Sequence, residues 1–152
     1  GGVDRDAPRD PDVHLVSTAV PGPDPMDAAV QTAREDLDLF IAALQNPKPY
    51  QLYFSVKTPV PVGDAGDERF EQLWLRDIVF EDGKFTGAVR DEPVEAAVEP
   101  GDQLTFLKEE VCDWMIIEND LLVGGFTIRA IRDQMSETDR QRFDSTFPFT
   151  IE

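Results

Sequence analysis

After Asn46-Pro47 the chain offers only short β-branched and aromatic runs, each closed by proline, glycine or an Asx turn. No helical stretch between them is long enough to serve as a crossover. Parallel strands need such crossovers, so a sheet built from these runs is mostly antiparallel. The runs cover 51–58, stopped by Pro59 and Pro61; 70–80, centred on Leu73 to Val79; and 85–89, broken by Glu92-Pro93. Three more follow at 103–107, entered through Pro100-Gly101-Asp102, at 111–118 and at 121–131. Asp82-Gly83 predicts a tight type I′ turn, and Asn119-Asp120 predicts a second hairpin joining the last two runs.

A helix is predicted ahead of the strands, over 25–45. Asp24 supplies the N-cap and Pro25 the first helical position. Met26, Ala29, Val30, Ala33, Leu37, Phe40, Ile41 and Leu44 then form an apolar stripe of 3.6-residue period, ended by Asn46-Pro47. Ser136-Glu137-Thr138-Asp139 resembles a capping box and predicts a short C-terminal helix, with Phe147-Pro148-Phe149 packing on the domain surface. The expected class is α+β. A long N-terminal amphipathic helix packs on a curved, mostly antiparallel sheet of about six strands, or on a partly closed barrel.

Composition sets the outer bounds. The 152 residues suit one domain, and a hydrophobic content of 41% with ten Phe and two Trp supports a core. Residues 1–23 are rich in Pro and Asp and read as a flexible acidic leader, which leaves 24–152 as the folded unit. The chain opens Gly1-Gly2-Val3 without Met, as after processing. Its compartment stays open between the cytoplasm and export behind a removed signal peptide. Lys and Arg number 14 against 31 Asp and Glu, a formal charge of −17. That balance excludes nucleic acid and anionic lipid as direct partners, because phosphate binding needs clustered cations. No apolar run approaches membrane-spanning length.

Several motifs occur together in one order. They are Tyr53-Phe54-Ser55-Val56-Lys57, Leu73-Trp74-Leu75-Arg76-Asp77, Gly83-Lys84-Phe85-Thr86-Gly87, Asp113-Trp114-Met115-Ile116-Ile117-Glu118 and Val123-Gly124-Gly125-Phe126-Thr127-Ile128-Arg129. With Glu92-Pro93 and Pro100-Gly101-Asp102 between them, they resemble the YegJ-like bacterial family, defined by domain of unknown function 2314, over about residues 26–145. Cys112 stands where the family more often carries Ser. The resemblance implies no activity and no catalytic residues, and it suggests that some members are exported.

Most chemistries fail on residue inventory. The one His, His14, lies in the leader, so neither a Ser-His-Asp or Cys-His arrangement nor a His-based metal centre can be assembled around a placed imidazole. Cys112 sits beside Asp113, which raises rather than lowers a thiol pKa, and it reads as a small buried hydrophobe. Asp64, Asp67 and Glu68 share a loop without the alternating spacing of a calcium site. Gly124-Gly125 lacks the residues of a phosphate cradle and reads as a bulge, or as space left for Trp114 across the hairpin. No catalytic residue, metal or cofactor is assigned. The remaining candidate binding set is Lys57, Asp113, Trp114, Thr127 and Arg129. Lys57 shares the more polar face of its strand with Tyr53 and Ser55. Arg129, expected in a strand between apolar neighbours, is expected to pair with Asp113 or Asp77. Trp74 and Trp114 read as core.

Two functions compete, beside a third reading in which the charge serves only solubility or salt adaptation, since Lys is scarce and acids abound. One is a non-catalytic interaction domain that takes a protein partner, basic in character, on an acidic face or strand edge. The other is a small-ligand or enzymatic pocket built on Lys57, Asp113 and Arg129.

Overall fold

The computed structural model describes residues 24–63 and 69–152. Readings placed on the leader, including His14, and on Asp64, Asp67 and Glu68 lie outside the described residues. Helix α1 (Pro25–Glu35) begins as expected, with the Asp24 carboxylate accepting from the Met26 N–H at 2.9 Å. The expected single helix over 25–45 is divided, however. At Asp36, φ −99° and ψ 5° leave the helical path, and α2 (Leu37–Gln45) restarts behind it. The Leu39 N–H bonds the Asp36 carbonyl at 2.9 Å, a tightened i→i+3 turn. The Asp36 side chain makes no capping hydrogen bond at the restart, so the break is one of backbone geometry. The stripe survives it, since Ala33, Leu37 and Phe40 are all buried.

Six strands follow among the described residues: β1 (Gln51–Pro61), β2 (Phe70–Glu81), β3 (Lys84–Val89), β4 (Gln103–Leu107), β5 (Asp113–Glu118) and β6 (Leu121–Gly124). They form one open sheet in the order β4-β3-β2-β1-β5-β6, with every neighbouring pair antiparallel. Both predicted turns are type I′ in backbone: φ is 53° and 76° at Asp82-Gly83, and 52° and 66° at Asn119-Asp120.

Strand β1 runs past its expected stop, through both prolines to Pro61. The Lys57 carbonyl accepts from the Cys112 N–H on the β5 side. By alternation Pro59 and Pro61 turn their missing N–H to that same side, where pairing with β5 has ended at Lys57. No ladder bond is lost.

The larger correction concerns 121–131. Only Leu121–Gly124 is strand; helix α3 (Phe126–Asp133) replaces the remainder, and α4 (Glu137–Asp144) follows, capped as expected by Ser136 Oγ accepting from the Asp139 N–H. Gly124 and Gly125 stand at φ 77° and 63°, and these left-handed residues turn the chain out of the sheet.

The strands bury both faces. Beneath α1 and α2 lie Phe40, Val56, Leu75, Phe85, Trp114 and Ile116. On the opposite face Trp74, Met115, Ile117 and Leu122 meet Ile128 of α3 and Ile151, with Phe143, Phe147 and Phe149 packed against them. Alternation along β5 divides Trp114 and Ile116 from Met115 and Ile117.

Candidate ligand-binding cleft

Two β-bulges open the sheet at one end. Pairing of β1 with β2 stops at Val56 and Leu75. The β1–β5 register shifts between Leu52 and Ser55, and the β2–β3 register shifts between Arg76 and Val79. Each bulge holds a non-glycine residue in the left-handed region, Tyr53 and Asp77, both at φ 54°. Such a conformation costs on the order of 1–3 kcal/mol and concentrates at functional sites. Both residues border one cleft of about 1090 Å³, which lies mainly on the face opposite α1 and α2 and reaches Leu44 of α2, Phe54 and Ile78 where the sheet opens. Ser55, Lys57, Trp74, Met115 and Ile117 of the sheet also line it, and Ile128 and Ile131 of α3 form a wall with Phe143, Phe147 and Phe149.

The polar part of this lining is unusual for so acidic a chain. Lys57, Arg76 and Arg90 face it against Asp77 and Asp91. The Lys57 ammonium lies 5.7 Å from the Trp74 ring centroid and the Arg90 guanidinium 5.4 Å from it, both within cation–π range. Trp74 is fixed beneath them by its backbone: its N–H donates to Asp91 Oδ2 at 2.8 Å, and its carbonyl accepts from the Arg90 N–H at 2.9 Å. Asp91 Oδ1 lies 3.5 Å from Arg90 Nε, and Arg76 pairs with Asp77.

Lys57 is held from behind. Its ammonium donates to Thr127 Oγ1 at 3.2 Å, and that hydroxyl donates onward to Asp113 Oδ2. Asp113 is fully buried and also accepts from the backbone N–H groups of Trp114 (2.8 Å), Phe126 (3.0 Å) and Thr127 (2.8 Å). It therefore caps the N-terminus of α3 from a neighbouring strand, where the helix dipole favours an anion. Burial pushes its carboxyl up from the ordinary aspartate value, against the pull of the Thr127 donors, the Lys57 charge and the Trp114 N–H.

The five predicted site residues thus divide. Lys57 lines the cleft, while Thr127 and Asp113 stand behind it. Trp114 points to the other face, its indole N–H donating to the Ala33 carbonyl at 3.0 Å and its ring 5.5 Å from that of Phe40. Gly124 does leave it room, as expected: a Cβ there would stand 2.5 Å from the Trp114 carbonyl oxygen. Arg129 lies in α3 rather than a strand, and it pairs with neither Asp113 nor Asp77. Its guanidinium donates to the carbonyls of Gly124 (2.8 Å) and Leu122 (2.7 Å) and to the main-chain oxygen of Glu152 (2.7 Å), tying β6 and the 150–152 segment to the helix. Three main-chain oxygens satisfy its planar fork as a side-chain carboxylate would. Cys112 is buried; burial above all pushes its thiol up to about 12, helped by Asp113 and opposed by Lys57.

Trp74 and Arg90 are the site residues that residue-type reasoning passed over. A signal existed, since counting outward from the Asp82-Gly83 turn brings Arg90 to within a residue of Trp74. Among the described residues no group of three or more His, Cys, Asp or Glu is placed to hold a metal, and no helix is long and apolar enough to cross a membrane.

Comparison with known proteins fits this frame. A family model described as an uncharacterized protein conserved in bacteria, domain of unknown function 2314, matches residues 23–150. The chain belongs to this family. It is 36% identical over 104 residues to the uncharacterized protein YegJ of Escherichia coli K12, covering 68% of this chain and 64% of that protein. It is 34% identical over 93 residues to a protein of Neisseria meningitidis serogroup B that carries an ankyrin-repeat name, covering 60% of this chain and 37% of that protein. The chain therefore spans less than two thirds of the length of either relative. No solved structure matches it.

Proposed function

We propose that this domain of the family binds a small ligand in the cleft without transforming it. One observation carries the reading: an apolar cleft of ligand size gathers Lys57, Arg76 and Arg90 in a chain whose net charge is −17. Two of them, Lys57 and Arg90, converge on the Trp74 ring, and the third, Arg76, adjoins the left-handed Asp77. Binding is favoured over catalysis by what stays outside the cleft. Asp113 is enclosed by four donors, and the Cys112 thiol donates to the Lys57 carbonyl at 3.3 Å behind the strand. Neither lines the cleft.

A fragment screen read by amide chemical shifts tests this. Binders should perturb Lys57, Trp74 and Arg90 together. Hits scattered over the surface, or none among several hundred apolar and aromatic fragments, would reject the cleft as a site.

The charge itself supports a second reading, a basic protein partner drawn to the acidic surface. The edge strand β6 is a poor place for it, because the Leu122 N–H donates to the Thr150 carbonyl and the Thr150 N–H to the Asp120 carbonyl, so the C-terminal segment lies along that edge. Association with a basic protein whose rate falls steeply with salt is the expected signature.

A further inference from the structure

Within the cleft, charge compensation is uneven. Arg76 is paired with Asp77, and Arg90 with Asp91, whose second oxygen is taken by the Trp74 N–H. Lys57 has no carboxylate partner among the described residues. Its one hydrogen bond goes to Thr127 Oγ1, whose proton is already given to Asp113. An ammonium carries three donors, so two remain for something else, and the Trp74 face beside it adds attraction for the cation but supplies no acceptor. The lining holds three cations and two carboxylates, and the third carboxylate nearby, Asp113, stands behind Thr127 and outside the cleft, so Lys57 is the cation that faces the apolar cavity with no carboxylate in contact. Beyond Lys57 the lining turns aliphatic and aromatic, through Met115, Ile117, Ile128, Phe143 and Phe147.

We infer that the cleft takes an amphipathic monoanion, an apolar body lying against α3 and the C-terminal phenylalanines with a single carboxylate on Lys57. This deepens the ligand-binding reading and rests on it. A phosphoryl dianion fits less well, because its two charges would meet only one cation without a carboxylate partner, both cleft arginines being already paired. A cationic ligand would meet Lys57 head-on. Thr127 acts as a positioning residue: its hydroxyl accepts from Lys57 and donates to Asp113, so the ammonium is anchored from one side only.

The test titrates the full chain with decanoate, decanol, decyl phosphate and decyltrimethylammonium, following the Trp74 indole N–H and Lys57 amide signals. Decanoate should bind about tenfold more tightly than decanol, the ratio one charge-assisted hydrogen bond supplies, and the cation should not bind. Lys57→Gln should bring decanoate down to the level of decanol, while Lys57→Arg should keep most of the preference. The amide spectrum of each variant reports that its fold is intact. Equal affinity for decanoate and decanol would overturn the monoanion inference and leave the ligand-binding reading standing. Decyl phosphate binding more tightly than decanoate would overturn the choice of head group. Failure of all four probes to perturb the cleft would overturn the inference and count against the ligand-binding reading together.

Discussion

The two faces of the sheet are made by the same strands, yet one is filled and the other is open. Beneath α1 and α2, Phe40 is wholly buried and its ring meets those of Phe54, Phe85 and Trp114 at 5.5–6.1 Å. Across the sheet, α3 and the segment after α4 reach only part of the surface. Phe143, Phe147 and Phe149 are half-buried there, and Lys57 and Trp74 border a cavity. Two helices carrying one continuous apolar stripe cover most of a sheet face, leaving only Leu44, Phe54 and Ile78 at the edge of the cleft. A short helix tied to the sheet at its N-terminus covers one side and leaves a cleft. The difference teaches that polar contacts, more than apolar area, set the shape of the open face.

Substitutions in matched pairs can break that comparison. Phe40→Ala should cost about 4 kcal/mol, near the top of the range for a buried aromatic, whereas Phe147→Ala on the open face should cost about 1–2 kcal/mol. Urea denaturation measures both, and similar values would mean that the cleft face is as closely packed as the other. Asp113→Ala comes next. It strips the shared acceptor from three backbone N–H groups and should cost about 3 kcal/mol. Hydrogen exchange should quicken first in α3, and uniform quickening would contradict its capping role.

Smaller effects sharpen the picture. Burial and the Arg132 guanidinium act on the carboxyl of Asp144 in opposite senses, and Arg132, the stronger, holds it below the ordinary aspartate value. Arg132 Nε donates to Asp144 Oδ1 at 2.7 Å and its Nη2 to Oδ2 at 2.8 Å. A carboxyl whose folded pKa is lowered stabilises the fold above its unfolded value, and that contribution is lost as pH falls through the folded one. The stability difference between the wild type and Arg132→Gln should therefore shrink as pH drops below about 4. A difference that grows in acid would refute the pairing. Smallest of all, Cys112 should resist an aromatic disulfide reagent at pH 8 in the native state and react only as fast as the chain opens, because its thiol is buried and pushed up to about 12. Rapid native labelling would place it nearer to solvent than the sheet allows.

Local features of the chain carried much of the fold. Asp24-Pro25 and Ser136 started helices where capping chemistry places them, and Asp82-Gly83 and Asn119-Asp120 each made a two-residue hairpin. These are short-range effects, in which a side chain or a φ preference acts within a few residues, so they are legible without the fold. The break at Asp36 was less legible because no side-chain cap marks it, and the passage of β1 through Pro59 and Pro61 because it depends on which backbone groups have partners across space. The site was the least legible part. Lys57 was singled out as a cation on a polar strand face, but Trp74, its neighbour in the cleft, reads as core by residue type alone.

What the sequence by itself determined is the family, the α+β class, the antiparallel pairing and the hairpin turns, all products of residue order and local torsion. What only the tertiary structure decided is the state of residues 126–133. The spacing Phe126, Ile128 and Ala130 permits a strand and the spacing Thr127, Ile128 and Ile131 a helix, and a buried carboxylate on β5 supports the helix by accepting from its first N–H groups. The same long-range bond sends Arg129 to main-chain oxygens and anchors Lys57 through Thr127. These bonds join residues distant in sequence, so the local pattern, which left the choice open, could not place them.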